Sequence, residues 1–249
     1  LVPRPLLPSL GTDLGGRTRI KPSVAPLSHT ISWETPFDTV LDWSDRPFAK
    51  WFVGGRLNAA YNCVDRHVEN GLGDRVAYYF EGESGDTRTI TYSDLLREVS
   101  KAANALTELG VKTGDRVAIY MPMIPETVFA MLACARLGAP HTVIFGGFSA
   151  SAIADRVKDC GVEFVITADG GYRRGAPSAL KPAVDEARAK AVAEAQRRWE
   201  AAGKAGDVAP GGPDGRRDDA GDGGATGVRQ LIQAVREISP NHVPSSRSV

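Results

Sequence analysis

The sequence predicts an α/β fold in which a mainly parallel sheet is flanked by helices. Short, almost wholly apolar runs alternate with longer segments whose apolar residues recur at helical spacing. The resulting order of strand, helix, strand, helix, strand, with short connections, indicates parallel strands joined by crossovers. Such sheets bind ligands beyond the carboxyl ends of their strands, so the loops at that edge are the first place to seek a site.

Composition divides the 249-residue chain into segments of different character. Residues 1–30 are rich in Pro and Gly, and we expect an unstructured tail. Residues 31–90 contain a predicted hairpin, and residues 91–187 contain the βαβαβ region. Residues 188–249 begin with an Ala/Arg/Glu run that favours helix, but a stretch of Gly, Pro and Asp follows, so we expect a largely disordered tail. That stretch is typical of a shifted reading frame in GC-rich DNA, the alternative being a genuine tail.

Charge, hydropathy and cysteine usage exclude several classes of protein. The formal net charge is zero and no run of about 18 apolar residues occurs, so we expect neither nucleic-acid binding nor a membrane-spanning helix. The cysteines Cys63, Cys134 and Cys160 are odd in number and widely spaced, which favours reduced thiols in the cytoplasm. Without a Cys-x-x-Cys pair, no zinc site is expected. Cys134 lies in an apolar helix and is expected to be a core residue.

The first predicted elements are a hairpin and a helix. Residues 75–80 and 87–91 are β-prone runs separated by EGESGD, a turn composition, so they predict an antiparallel hairpin. Thr91 and Asp94 form a variant of the capping box that opens a helix, and Gly110 stands where a left-handed residue would end it. The residues expected on its buried face are Leu95, Leu96, Val99, Ala102, Ala103, Leu106 and Leu109.

Three further apolar runs predict strands. Residues 116–121 and 141–146 are of the type that is buried on both faces of a sheet, and residues 163–168 form the third strand. Pro125 suits the first turn of the helix between the first two strands, and Ser149 suits the N-cap of the helix between the last two. The helix after Pro125 is expected to end at Gly138 and to bury Val128, Phe129, Met131, Leu132 and Ala135.

The loop that follows the third strand, residues 169–181, is the candidate site. Its sequence, DGGYRRGAPSALK, places Arg173 and Arg174 between glycines. Glycines allow a phosphate to approach the backbone closely, and guanidinium groups present a planar fork of donors to its oxygens. A helix beginning near Lys181 would add N–H donors. On composition alone a solvated turn is favoured over an anion site, and the loop matches neither the Walker sequence nor Gly-x-Gly-x-x-Gly.

Several segments of the sequence resemble the acetyl-CoA synthetases, the AMP-forming acetate–CoA ligases of the adenylate-forming superfamily. They include WFVGGRLNAAYNCVDRH, GVKTGDRVAIYMPMIPE and ITADGGYRRGAPSALKPAVDEA, and the resemblance covers residues 33–187. It implies that residues 31–90 are the N-terminal segment of such an enzyme and that residues 91–187 are the start of its AMP-binding domain. The fold would then be part of the large N-terminal domain of an adenylate-forming enzyme.

The resemblance also implies a reaction and a ligand. Acetate and ATP, with magnesium, would give acetyl-AMP and pyrophosphate, and the CoA thiol would then attack the mixed anhydride and release AMP. The implied CoA contacts are Arg173, Arg174, Gly175 and Ala176. Some members of the family have a basic residue at the position of Ala176.

Other family features have no counterpart in these 249 residues. The Ser/Thr/Gly-rich phosphate loop ending in Lys-Gly is missing, so we assign no catalytic or metal-binding residue. We therefore expect the chain to be a truncated fragment that is inactive alone. In one arrangement, the C-terminal portion of the enzyme is a separate chain. The alternatives are a CoA-binding or regulatory module without catalysis, a fragment of a propionate–CoA ligase, and a non-functional product.

Overall fold

The chain divides into two units, residues 1–66 and residues 67–249. The computed structural model describes residues 11–12, 18–19, 30–201 and 230–232. Most of the two tails expected from composition therefore lies outside the described residues. Among the described residues, no helix has both the length and the apolar character needed to cross a bilayer.

The first unit consists of two small antiparallel ribbons and a cluster of aromatic rings. Its elements are β1 (Gly11–Thr12), β2 (Thr18–Arg19), β3 (Thr39–Asp42), β4 (Lys50–Val53) and a π-helical turn, Tyr61–Asp65. Strand β1 pairs with β2, and β3 pairs with β4. The rings of Trp33, Phe37 and Phe52 lie with centroids 5.2 to 5.4 Å apart in tilted or edge-on contacts. These rings hold β4 against the segment that precedes β3.

The second unit contains the predicted alternation of strands and helices. In chain order its elements are a π-helical turn (Val68–Leu72), β5 (Val76–Glu81), β6 (Thr87–Thr91), α1 (Tyr92–Glu108), β7 (Val117–Tyr120), α2 (Pro125–Leu137), β8 (His141–Val143), α3 (Ala150–Asp159), β9 (Phe164–Thr167), β10 (Gly170–Arg173), β11 (Ala176–Ala179), α4 (Lys181–Ala201) and β12 (Gln230–Ile232). Strands β5 and β6 form the expected antiparallel hairpin. The predicted α/β class is confirmed.

The described sheet is wholly parallel, with strand order β12-β9-β7-β8. Every residue of β7 and β9 is buried. Side chains alternate between the two faces, because Val117 and Ile119 enter the cluster formed with α1 and α2, whereas Ala118 and Tyr120 enter the cluster formed with α3 and α4. Burial on both faces is what the apolar run predicted for β7.

Helix α1 begins with the predicted capping box. The Asp94 N–H donates to the Thr91 hydroxyl at 3.1 Å, and the Thr91 N–H donates to the Asp94 carboxylate at 3.2 Å. Gly110 follows the helix with φ of +93°, as its left-handed role requires. The prediction that Leu109 is buried is wrong, since this residue lies beyond the last helical turn and is 37% exposed.

Helix α2 has the predicted ends but a different buried face. Pro125 occupies its first turn, and Gly138 is left-handed with φ of +68°. Phe129 is buried as expected, but Val128 is exposed. This helix is apolar on nearly every side, so the periodicity of the sequence did not identify its buried face. The face that packs carries small residues and one charge, Glu126, together with Ala130, Ala133 and Cys134.

Strand β8 differs most from its prediction. Residues 141–146 were expected to form a strand buried on both faces, but the strand spans His141–Val143 and lies at one edge of the described sheet. Val143 is 53% exposed and Phe145 is 60% exposed, whereas Ile144 is buried. Burial of an apolar run depends on its neighbours in the sheet, which a single strand sequence does not specify.

Helix α4 joins two separately predicted pieces. The helix expected near Lys181 and the later Ala/Arg/Glu run form one helix of 21 residues that continues through residue 187 without a break. Beyond it, β12 pairs in parallel with β9, Leu231 lying opposite Val165. The described part of residues 188–249 therefore contains a helix and a short strand.

Replacing Thr91 by Ala tests the start of α1. We expect the free energy of unfolding to fall by about 1 kcal/mol, because the Asp94 amide loses its side-chain acceptor. Hydrogen bonds from Thr91 also lower the pKa of the Asp94 carboxyl. The difference from wild type should therefore be present above the unfolded pKa of about 4 and shrink as the pH falls through the lower pKa of the folded state.

Urea denaturation followed by far-ultraviolet circular dichroism measures this loss. Thr91→Ser retains the hydroxyl and should lose less than half as much. Equal stability of Thr91→Ala and wild type would show that the cap contributes nothing.

Candidate functional site

Residues 169–181 form a tight β-hairpin rather than the flexible loop that composition suggested. Strands β10 and β11 pair from Gly170 opposite Ala179 to Arg173 opposite Ala176. The two residues at the tip, Arg174 and Gly175, have φ of +55° and +76°. Positive φ at both central residues defines a type I′ turn, whose twist matches that of the paired strands.

The hairpin extends across the carboxyl end of β7. At its base, the Asp169 carbonyl oxygen accepts hydrogen bonds from the backbone N–H groups of Leu180 and Lys181, at 3.0 and 3.4 Å. Further along, Gly171 lies against Pro122, the second residue after β7. A Cβ on Gly171 would come within 2.5 Å of the Pro122 Cβ. Because no side chain fits there, glycine is required for this close packing.

Arg173 reaches from β10 to the segment that follows β8. Its guanidinium carbon lies 5.0 Å from the centroid of the Phe145 ring, within the range of a cation–π contact. The same guanidinium group lies against the backbone of Gly147, and a Cβ at Gly147 would collide with it. The absence of a side chain at Gly147 therefore provides room for the guanidinium group.

Tyr120 fixes the segment on which Arg173 lies. Its hydroxyl is 3.1 Å from the carbonyl oxygen of Phe148 and 3.3 Å from that of Gly146, so it donates to the loop after β8. Burial raises the pKa of this hydroxyl, and the nearby charge of Arg173 partly offsets the effect. The hydroxyl therefore stays protonated and remains a donor at neutral pH.

Two phenylalanine rings and a second arginine complete this surface. The rings of Phe145 and Phe148 meet edge to face, with centroids 5.9 Å apart. Arg156 of α3 lies over the Phe148 ring at 4.2 Å. Each ring therefore contacts one guanidinium group. The carboxyl edge of the sheet thus presents partly exposed aromatic surface beside positive charge.

The four residues that the resemblance implied lie together at the end of the hairpin. Arg173, Arg174, Gly175 and Ala176 are all exposed. The Gly175 N–H donates to the carboxylate of Glu83, which lies in the turn between β5 and β6. Ala176 pairs across the hairpin with Arg173 and carries no polar side chain. The structure thus brings these four positions together at the expected edge of the sheet.

Sequence reasoning did not identify the residues that support this hairpin. Tyr120, Phe145 and Glu83 are distant from it in sequence, and Glu83 is 92 positions from Gly175. The predicted topology could have identified two of them. Tyr120 and Phe145 lie near the carboxyl ends of two predicted parallel strands, and such ends share one edge of the sheet with the hairpin. No local signal indicated Glu83.

Glu126 and Cys134 are ionisable residues of the second unit that are buried in its core. The Arg88 guanidinium lies 2.7 Å from the carboxylate of the buried Glu126. Burial raises the pKa of the Cys134 thiol to about 12, so Cys134 is a protonated core residue, as expected. Among the residues that the structure describes, no group of three or more His, Cys, Asp or Glu side chains is arranged to hold a metal ion.

Comparison with known proteins gives two family matches. The model of the AMP-binding enzyme family matches residues 64–226, and the model of the acetyl-coenzyme A synthetase N-terminus matches residues 25–63. Together they extend beyond residues 33–187, the limits of the resemblance identified from the sequence.

Curated relatives match about two thirds of the chain. Acetyl-coenzyme A synthetase of Streptomyces avermitilis is 69% identical over 163 residues, which cover 66% of this chain and 25% of the relative. The protein of the same name from Mycobacterium tuberculosis is 67% identical over 164 residues, again 66% of this chain and 25% of the relative. That of Deinococcus radiodurans is 58% identical over 161 residues, or 65% and 25%. The chain spans about a quarter of the length of these relatives.

The backbone strain at Arg174 is testable by comparing two substitutions. Arg174→Gly and Arg174→Ala both remove the guanidinium group, but only glycine adopts a positive φ without steric cost. We expect the glycine variant to be more stable than the alanine variant by about 1 kcal/mol in urea denaturation. At Arg173, which has ordinary strand geometry, the order should reverse. An alanine variant as stable as the glycine variant at position 174 would contradict the type I′ turn.

Proposed function

Because the chain belongs to the AMP-binding enzyme family, we propose that it is part of an acetate–CoA ligase. This enzyme would convert acetate, ATP and CoA into acetyl-CoA, AMP and pyrophosphate. The observation that carries the proposal is the 69% identity to an acetyl-coenzyme A synthetase together with the match to the N-terminal model of those enzymes. Relatives with this name support acetate over propionate as the acyl substrate.

We propose that the hairpin tip binds the phosphate groups of CoA. Arg173 and Arg174 supply two guanidinium groups, and charge-assisted bonds from guanidinium to phosphate are among the stronger hydrogen bonds in proteins. Arg173 is already oriented by Phe145 and Gly147, so little conformational freedom is lost when it binds. The exposed face of the aromatic pair lies beside this charge and suits the adenine ring of the same ligand.

In this proposal the described residues position CoA and do not touch the reacting atoms. The thiol of CoA attacks the carbonyl carbon of acetyl-AMP, the bond to the AMP oxygen breaks, and AMP leaves. Arg173, Arg174 and Gly175 act on the phosphate end of CoA, and Ala176 contributes only its backbone. We propose that ATP and magnesium are bound by a remaining portion of the protein, on a longer chain or a separate one. Three cysteines without a disulfide among the described residues support a cytoplasmic location.

Calorimetric titration with CoA tests the binding role. We expect the 249-residue chain to bind CoA and the Arg173→Ala/Arg174→Ala double variant to bind at least tenfold more weakly, because two charge-assisted contacts are lost. Arg75→Ala removes another exposed arginine, directly before β5, and should leave the affinity unchanged. Equal heats from wild type and the double variant would reject the assignment.

Acetate-dependent exchange between ATP and pyrophosphate tests the catalytic part. These 249 residues contain no Ser/Thr/Gly-rich loop ending in Lys-Gly, so we expect no exchange above the background without acetate. If the chain is a CoA-binding portion of the enzyme, we expect it to bind CoA but to show no exchange between ATP and pyrophosphate. Robust exchange by the purified chain would mean that ATP is bound and activated by residues that we have not assigned.

A further inference from the structure

The turn between β5 and β6 holds one carboxylate in a defined place. The Gly82 N–H donates to the Asp86 carbonyl oxygen at 2.7 Å, and the Gly85 N–H donates to the Gly82 carbonyl oxygen at 2.9 Å. The Ser84 hydroxyl donates to the Asp86 carboxylate at 2.6 Å. Gly85 has φ of +86°, which suits glycine. These bonds fix the backbone on both sides of Glu83.

The hairpin that carries this turn is anchored to the body of the second unit. Arg88 of β6 pairs with Glu126 at the start of α2, and the side chain of Glu126 is 5% exposed. The Glu126 carboxylate is buried, so loss of Arg88 would leave its charge uncompensated, which makes this contact costly to break. Tyr78 of β5 lies close to the same pair, and burial raises the pKa of its hydroxyl. The position of Glu83 relative to the sheet is therefore set by this anchor as well as by the turn.

Glu83 contacts the tip of the arginine hairpin. Its carboxylate accepts a hydrogen bond from the Gly175 N–H, although the two residues are 92 positions apart. Gly175 lies directly after the two arginines and is the residue whose backbone donor faces out of the type I′ turn. A carboxylate here occupies a backbone donor that an incoming anion would use, and it places a negative charge beside the turn that carries Arg174.

We propose that Glu83 is an internal competitor that sets the anion affinity and selectivity of this hairpin. The inference rests on the proposed function, in which the hairpin tip binds phosphate groups. Since Glu83 is part of the same chain, its effective concentration at Gly175 exceeds that of a free monocarboxylate such as acetate. A ligand with several phosphate charges gains more from the arginines and displaces Glu83. The contact thereby excludes the small acid substrate from a site built for the larger anion.

Replacing Glu83 by Gln tests the role of its charge. Glutamine retains the shape of the side chain and an acceptor oxygen for the Gly175 N–H, so the contact with the hairpin persists. The negative charge of Glu83, which repels an anionic ligand, disappears. We expect both CoA and inorganic pyrophosphate to bind roughly fivefold more tightly, the effect of one like charge about 4 Å from the ligand in a water-like medium. The gain should shrink between about 0.05 and 0.5 M salt, because exposed charges are screened.

Glu81→Gln is the matched control. It removes the same charge two positions earlier, from an exposed residue at the end of β5. We expect it to change the affinities for CoA and for pyrophosphate by less than twofold. Acetate, titrated as a third probe, should not bind the wild-type hairpin, and weak acetate binding should appear in Glu83→Gln.

The outcomes separate this inference from the proposed function. If CoA binds but Glu83→Gln binds it equally or more weakly, the CoA site stands and the role of Glu83 is overturned. If CoA binds no variant, the proposed function fails, and tighter pyrophosphate binding by Glu83→Gln still supports the competitor. If no probe binds any variant, both are overturned. If Glu81→Gln gains affinity by a similar factor, the effect comes from net charge, and the specific role of Glu83 is overturned.

Discussion

Parallel pairing of β7 on both of its edges is the constraint on which the second unit depends. With β8 on one side and β9 on the other, its backbone groups have partners and its four side chains are buried alternately on two faces. Both faces must then be covered, which α1 and α2 do on one side and α3 and α4 on the other. Parallel order also brings the ends of all three strands to one edge, where the hairpin crosses from β9 toward β8.

At that edge, backbone geometry rather than charge alone determines where the arginines lie. Gly171 allows the hairpin to pack on Pro122, and Gly147 leaves space for the guanidinium group of Arg173. The type I′ turn places Arg174 at the exposed tip in a conformation that an L-residue adopts at a cost. The carboxylate of Glu83 then accepts a hydrogen bond from the backbone of this tip, at Gly175. The positions of the hairpin and of Arg173 thus depend on two close approaches to glycine backbone.

Much of this arrangement could be predicted from local sequence, and the remainder depends on distant partners. The capping box at Thr91 and the end of α2 at Gly138 are encoded within a few residues, so both were predicted correctly. The hairpin was missed because Arg-Gly is not a usual type I′ pair, in which Asn or Gly normally takes the first position. The edge position of β8 and the contact between Glu83 and Gly175 depend on which distant segments become neighbours. The local sequence of either segment does not specify its neighbours.

The most direct test of the hairpin as a CoA site is the pattern of backbone amide chemical shifts in two-dimensional NMR spectra of the 249-residue chain as CoA is added. We expect the largest changes at Arg174 and Gly175, with smaller changes along the segment from Phe145 to Phe148 and none at the far ends of α1 and α2. Changes centred elsewhere, or no change at the hairpin while CoA binds, would contradict the assignment.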